Sequence, residues 1–211
     1  MKSARYLILE LFLLFFVLPV SLAIPFNIFV KVGLVLVGFA YVVWVLLRVE
    51  KVKFRVKRGI PWKSFWKRTL LIFAGLALLT SLYVYWKTPE QLFFIPRQKP
   101  YLFVVIFFVY TFLSVWQQEL IYRTFFFKRY QGIIKGKALF IFVNAIVFSL
   151  CHIFFRNALV MLLTFLGGLL FGLTYWKHRS TTLVTIEHAL YGFWLYGVGM
   201  GEMLGFPGME E

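Results

Sequence analysis

Three groups of ionisable side chains lie inside otherwise apolar stretches of this 211-residue chain. They are Gln118-Glu119 followed four residues later by Arg123, then His152, and then Glu187-His188. A charged or titratable side chain is costly at membrane depth, so it is retained mainly where it is paired or functional. A carboxylate and two imidazoles can together deprotonate water and stabilise the oxyanion that forms. The pattern therefore indicates a buried hydrolytic site.

Each group taken alone has a second interpretation. Glu119 and Arg123 are four residues apart, so on a helix they lie on one face and can form an ion pair. That pair alone would also suit a structural link between helices, and either histidine alone would suit a hydrogen-bonded core position. Intramembrane Glu, Arg and His also build proton relays, so a small membrane transporter stays open as an alternative. The occurrence of all three groups on successive apolar segments favours one shared site.

The apolar segments that carry these residues are long enough to cross a membrane. Hydrophobic residues make up 62% of the chain, and the mean hydropathy of +0.84 exceeds that of ordinary soluble domains. A bilayer is spanned by about 20 residues of helix, and its interior favours helices because they satisfy their own backbone groups. The sequence predicts an all-α, polytopic membrane helical bundle with about seven transmembrane helices. We expect these at 6–24, 28–47, 69–86, 101–124, 138–155, 158–176 and 181–200.

The chain divides into two unequal parts. Residues 1–100 are interpreted as N-terminal accessory transmembrane helices with a basic cytoplasmic loop, and residues 101–205 as the catalytic helical core. Segment 87–100 contains three prolines and is expected to be an extended connection rather than a helix. Gly168 and Gly172 have the spacing of small residues that let two helices pack closely.

Basic residues are distributed asymmetrically across the predicted spans. Seventeen lysines and arginines fall on the side of the N-terminus and four on the opposite side. The positive-inside rule therefore predicts a multi-pass protein of the cell (inner) membrane, with a cytoplasmic N-terminus and an external C-terminus. Nine of the seventeen form one basic loop: Arg48, Lys51, Lys53, Arg55, Lys57, Arg58, Lys63, Lys67 and Arg68. Tryptophans lie beside this loop, so the net charge of +15 predicts contact with anionic lipid and not with nucleic acid.

Several hydrolytic chemistries are excluded by residues that the sequence lacks. The chain has no aspartate, which excludes a pair of catalytic aspartates, and it has no His-Glu-x-x-His zinc motif. None of its seven serines follows a glycine at the spacing of a Gly-x-Ser nucleophile. The single cysteine, Cys151, permits neither an internal disulfide nor a paired-cysteine zinc site.

Three short motifs follow one another between about residues 110 and 200. They are Gln118-Glu119-Leu120-Ile121-Tyr122-Arg123, Phe148-Ser149-Leu150-Cys151-His152 and Glu187-His188-Ala189-Leu190-Tyr191-Gly192. In order and spacing they resemble the Glu-Glu-x-x-x-Arg, Phe-x-x-x-His and His-x-x-x-Asn motifs of the CAAX protease and bacteriocin-processing (CPBP) membrane proteins, a family that includes type II CAAX prenyl endopeptidases. The resemblance implies an intramembrane endopeptidase that cleaves a membrane-embedded or lipid-anchored peptide through a glutamate/histidine-activated water. Its implied catalytic residues are Glu119, Arg123, His152 and His188.

The chain departs from this pattern at two positions. Gln118 stands where the resemblance implies the water-activating glutamate, and an amide cannot act as a general base. Glu119 points about 100° away on a regular helix, so it takes over only through a local shift or with help from Glu187. Gly192 stands where the resemblance implies an asparagine that donates to the oxyanion.

The same departures also resemble a variant subgroup of this family that carries Gln-Glu in the first motif. We therefore interpret Gln118, Glu187, Phe148 and Gly192 as supporting residues of a variant site. A catalytically inactive relative that acts by binding, such as an immunity protein, is the alternative.

Metal use and the depth of the site stay open from sequence. The resemblance implies no cofactor, although two histidines and a carboxylate could ligate a divalent metal such as zinc. At ~1.5 Å per helical residue, Glu119 and His188 lie at similar depth and His152 nearer the outer face. For Glu119, His152 and His188 to meet, segment 125–137 must dip into the membrane or the helices must tilt.

Overall fold

The computed structural model describes residues 3–53 and 59–205 of the protein. These two ranges contain seven long helices. In chain order they are α1 (Ala4–Leu22), α2 (Ile28–Val49), α3 (Trp62–Lys87), α4 (Pro100–Tyr130), α5 (Lys137–Leu150), α6 (Ala158–His178) and α7 (Thr181–Val198). No strand occurs in these two ranges. The predicted all-α membrane bundle of about seven helices is therefore confirmed. Three residues of the basic loop, Arg55, Lys57 and Arg58, lie outside the described residues.

Six of the seven helices, α1 to α6, are long and apolar enough to cross a membrane, the fifth counted with the short turn that follows it to Phe155. Many large apolar side chains on α1 to α4 are exposed on the surface of the bundle, as expected for lipid-facing helices. The protein is thus a multi-pass membrane protein.

Helix α7 differs from most of the others because more than half of its residues are buried by its neighbours. It carries Glu187 and His188 at its centre and contacts α3, α4 and α6. Ten of its eighteen residues are buried. Such enclosure is what an intramembrane helix with ionisable residues requires, since these side chains must face protein rather than lipid.

Two helices extend further than their apolar runs. Helix α3 begins at Trp62 rather than near residue 69, and α4 continues to Tyr130 rather than ending near residue 124. Apolar runs mark the part of a helix that lies in the bilayer, whereas the backbone hydrogen bonds continue into polar segments. Several basic residues that we expected in loops, such as Lys63 and Arg129, are therefore helical.

The prediction of an extended segment at 87–100 is wrong. Pro89–Gln91 forms a 3₁₀ turn and Phe94–Gln98 forms a short helix before α4 begins at Pro100. Each proline lies within the first turn of its element, where its missing N–H would have had no intrahelical partner.

Helix α4 contains two π-helical segments, which flank the first motif. They are Tyr110–Val115 and Leu120–Phe125, on either side of Trp116–Glu119. A π segment inserts an extra residue into a helical turn and is frequent at functional sites. The Asn144 side chain of α5 donates a hydrogen bond of 2.7 Å to the Tyr122 carbonyl inside the second segment.

Small residues bring α5 and α6 together as expected. A β-carbon placed on Gly168 would lie 2.8 Å from the Ala145 Cα, and one on Gly172 would press against Ile141. The predicted close packing at these glycines is confirmed, and it holds α6 against the helix that leads into the turn with His152.

A buried ion-pair cluster ties the N-terminal helices to the core. Arg129 of α4 donates to both carboxylate oxygens of Glu10 in α1, at 2.7 and 2.9 Å, and its third nitrogen lies 3.0 Å from Glu50 near the end of α2. Tyr41 and Tyr130 also donate to Glu10. The Glu10 carboxylate is thereby fully paired, as a buried charge must be to be tolerated.

Candidate functional site

A cavity of about 890 Å³ lies between the helices that carry the three motifs. Its wall is mainly apolar and includes five of the residues singled out from sequence: Gln118, Phe148, His152, His188 and Gly192. Glu119, Arg123 and Glu187 are not part of the wall but lie behind it, and all three are buried. The motifs therefore converge on one space, with the charged side chains in a second layer.

Glu119 and His188 form the central contact of the site. The Glu119 Oε1 atom lies 2.7 Å from His188 Nδ1, which joins α4 to α7. A carboxylate can only accept, so Nδ1 carries the proton and the Nε2 atom of the neutral ring is an acceptor. The His188 ring stacks on Phe171 with centroids 4.5 Å apart. A carboxylate that orients an imidazole in this way also stabilises the imidazolium that forms after proton uptake.

Arg123 supports Glu119 from the second π segment. Its Nε lies 3.3 Å from Glu119 Oε2, and both side chains are 0% exposed. The distance is that of an ion pair, although the guanidinium N–H groups are not directed for a hydrogen bond to any described residue. The guanidinium lies over the rings of Phe148 and Phe171, with Cζ 4.4 and 5.5 Å from their centroids. Cation–π contacts thus replace hydrogen bonds around this buried charge.

Phe148 connects the second motif to the other two. Its ring centroid lies 5.1 Å from the His152 ring and 5.6 Å from the His188 ring. Its carbonyl is 2.9 Å from His152 Nδ1, so that nitrogen donates and the His152 Nε2 atom is an acceptor. His152 and His188 therefore flank one aromatic ring at the wall of one cavity.

Gln118 lies between two cavities. Its amide nitrogen donates a 2.9 Å hydrogen bond to Ser114 Oγ, while its carbonyl oxygen has no partner among the described residues. A second cavity, of about 680 Å³, is lined largely by α1 and α2 and meets the first at Gln118, Cys151 and Phe154. As expected, Gln118 and Glu119 point in different directions, so the amide faces the cavities and the carboxylate faces His188.

Glu187 is placed at the interface with α3. Its Oε1 atom lies 3.2 Å from Arg68 Nη1 and 3.3 Å from the Tyr191 hydroxyl. The Arg68 guanidinium also donates to Thr174. The structure thus gives Glu187 a pairing role on the far side of α7, and its use as a replacement base stays a prediction.

The space beside Gly192, where a side chain would lie, is filled by a neighbouring tyrosine. A β-carbon at this position would overlap the Tyr110 hydroxyl oxygen and lie 2.6 Å from Tyr110 Cζ. The Tyr110 ring also packs edge-on against His188, with centroids 6.2 Å apart. Tyr110 can occupy this place only because residue 192 has no side chain.

Sequence analysis missed three residues that pair with the site or its supports, namely Tyr110, Arg68 and Arg129. The sequence could have indicated the two arginines, because each glutamate buried in an apolar run requires a cationic partner. No signal existed for Tyr110, since its contact with Gly192 depends on how two distant helices pack.

Metal binding requires several ligands close together. Within residues 3–53 and 59–205, no group of three or more His, Cys or Glu side chains is arranged to hold a metal ion. The arrangement offers instead a carboxylate-backed imidazole and a second imidazole acceptor facing an apolar cavity. A neutral imidazole nitrogen of this kind can accept a proton from water.

Comparison with known proteins agrees with the motifs. Residues 100–194 match the model of a family described as Rce1-like, type II CAAX prenyl endopeptidase. The match begins where α4 begins and includes all three motifs. No curated protein and no solved structure gives a significant match to the chain.

Proposed function

We propose that this chain, whose residues 100–194 match the Rce1-like family of type II CAAX prenyl endopeptidases, is an active intramembrane endopeptidase of a variant subgroup. The observation that carries the proposal is the 2.7 Å contact between Glu119 Oε1 and His188 Nδ1 at the wall of the cavity. This contact supplies an oriented base although residue 118 is an amide. The proposal assigns the catalytic roles to Glu119, Arg123, His152 and His188.

The proposed base is His188 rather than Glu119 acting directly on water. His188 Nε2 faces away from the carboxylate that binds Nδ1, and the ring lines the cavity. Water held by the Nε2 atoms of His188 and His152 loses a proton to His188 as its oxygen attacks the peptide carbonyl carbon. Glu119 stabilises the resulting imidazolium, and Arg123 keeps that carboxylate in place. Collapse breaks the C–N bond, and the proton passes from His188 to the leaving nitrogen.

The proposed substrate is an apolar, membrane-embedded or lipid-anchored peptide. The cavity is lined mainly by apolar side chains, which favours ligands that already partition into lipid. Anionic lipid is the proposed partner of the basic loop, whose described lysines Lys51, Lys53, Lys63 and Lys67 are exposed. Nucleic acid is not a proposed partner. The chemistry proposed here uses side chains and water, with no cofactor and no metal.

The proposed orientation has a cytoplasmic N-terminus and an external C-terminus, in a cell membrane. It follows from the seventeen basic residues on one side and the four on the other. A reporter fused after residue 60 should be cytoplasmic, and the same reporter fused at the C-terminus should be external. Both reporters on one side of the membrane would contradict the orientation and the odd number of spans.

Replacement of His152 tests the hydrolytic function. We expect the purified full chain in proteoliposomes to cleave apolar peptides embedded in the same bilayer, half of them farnesylated at a C-terminal cysteine. His152→Ala should lower kcat by about 10²-fold or more, because the water loses one of its two acceptors. The products are measured by mass spectrometry.

The third histidine provides the matched control. His178 lies at the end of α6 and is not part of the cavity wall, so His178→Ala should cleave at the wild-type rate. A catalytically inactive binding protein would cleave only after Gln118→Glu restores a carboxylate at that position. Cleavage seen in that variant alone would therefore overturn the proposed function.

A further inference from the structure

Hydrolysis of a peptide requires a hydrogen-bond donor that the two histidines do not provide. Negative charge develops on the carbonyl oxygen in the transition state, and a positioned donor is the usual means of stabilising it. In both rings the Nδ1 proton is already used, by the Phe148 carbonyl for His152 and by the Glu119 carboxylate for His188. Their Nε2 atoms are therefore acceptors. These two acceptors can bind the O–H groups of the attacking water, but neither can donate a hydrogen bond to the oxyanion.

Three other polar side chains in the cavity wall already donate to partners. The Thr164 hydroxyl donates to the Val160 carbonyl at 2.7 Å, and the Tyr191 hydroxyl donates to the Thr69 carbonyl at 3.0 Å. The Gln118 amide nitrogen binds Ser114 on its own helix. These donors already have acceptors and are not free to follow a charge that appears during the reaction.

Tyr110 has a hydroxyl in the right place. It lines the cavity, its ring lies edge-on to His188, and the hydroxyl oxygen occupies the notch at Gly192, one helical turn beyond that histidine. The hydroxyl faces this cavity and is not one of the fully buried polar atoms that lack a partner. A hydroxyl at the wall of a cavity can turn its proton toward a group that enters there.

We propose that the Tyr110 hydroxyl donates the hydrogen bond that stabilises the oxyanion. Gly192 leaves the space that this hydroxyl occupies, because it has no side chain. This inference rests on the proposed endopeptidase function. When the water oxygen bonds to the carbonyl carbon, the C=O π electrons move to the carbonyl oxygen, which accepts from Tyr110 Oη–H. The water proton goes to His188 Nε2 as before. On collapse the C=O bond re-forms, the C–N bond breaks, and Tyr110 keeps its proton throughout.

Removal of the hydroxyl alone tests this role. Tyr110→Phe keeps the ring that fills the space beside Gly192, so the variant should fold with an unchanged thermal midpoint. We expect kcat to fall about 10²-fold, as when one oxyanion donor is removed from other hydrolases, while KM changes less than about twofold. The assay uses the proteoliposomes and embedded apolar peptides described above. An unchanged kcat, or a change confined to KM, would overturn the inference.

A second pair of variants tests whether a donor at this place is what matters. Gly192→Asn cannot be accommodated beside Tyr110, but Tyr110→Ala removes the ring that fills the notch. The double variant Tyr110→Ala with Gly192→Asn supplies an amide donor and should recover about 10-fold over Tyr110→Ala alone. No recovery, in a double variant with the same thermal midpoint as Tyr110→Ala, would count against a donor role.

The control is Tyr101→Phe, which removes a hydroxyl from the same helix at a position that is 83% exposed. It should retain wild-type kcat, and an equal loss in this variant would overturn the inference. Failure of the endopeptidase function itself is seen separately, because the wild-type chain would then release no peptide product. That result would contradict both the endopeptidase function and the proposed role of Tyr110.

Discussion

Glu119→Gln should lower kcat by about 10³-fold or more, since a carboxylate that orients and supports a catalytic imidazole contributes up to about 10⁴-fold. The amide can still accept from His188 Nδ1, so the ring keeps its position. It cannot stabilise the imidazolium that forms when His188 takes the proton of water. The loss should therefore appear in kcat, with KM nearly unchanged, in the same proteoliposome assay.

The same variant has an independent signature in stability. Arg123 would remain buried with no carboxylate beside it, and removing one partner of a buried ion pair costs about 3–5 kcal/mol. Glu90→Gln, at an exposed position, is the matched control and should change neither quantity. Wild-type turnover by Glu119→Gln would show that this carboxylate takes no part in catalysis.

Arg123→Met should destabilise the protein by a similar amount, about 3–5 kcal/mol. Methionine fills much of the same volume between Phe148 and Phe171 but leaves the Glu119 charge buried without its cation. We expect a lower thermal midpoint in detergent micelles, together with loss of peptidase activity. Arg48→Met, at the exposed end of α2, should leave the thermal midpoint unchanged.

A double variant distinguishes the ion pair from two separate effects. When Glu119→Gln and Arg123→Met are combined, neither charge is left alone in the core. The double variant should be more stable than either single variant by about 1–3 kcal/mol, the range of coupling expected between residues in contact, while remaining inactive. Destabilisations that simply add would mean that the two side chains do not act as a pair.

The number and kind of helices could be predicted from sequence because the length of an apolar run is set by bilayer thickness. Three ionisable groups on successive apolar segments favoured one shared site, but sequence placed His152 at a different depth and did not predict how it reaches the cavity wall beside His188. Helix ends were less predictable. Helix α4 continues to Tyr130 although hydropathy falls earlier, and the proline-rich segment at 87–100 is partly helical.

The remaining features depend on contacts between distant parts of the chain. The π segments of α4 change its hydrogen-bond pattern without any special residue type, and one of them is accompanied by the Asn144 side chain of another helix. The pairing of Arg129 with Glu10 joins residues 119 positions apart. The fit of Tyr110 over Gly192 likewise follows from helix packing. Sequence spacing describes one helix at a time and cannot supply these relations.

Each glutamate buried in the described core has its own arginine. Glu10 is paired with Arg129, Glu119 with Arg123, and Glu187 with Arg68. A carboxylate at position 118 would be a fourth, without a cation, between two apolar cavities. The amide thus adds no unpaired charge at this place. A net charge at membrane depth is subject to the transmembrane voltage, at about 2.3 kcal/mol per elementary charge for 100 mV. A carboxylate and its arginine together carry no net charge, so the voltage exerts no net force on any of these three pairs.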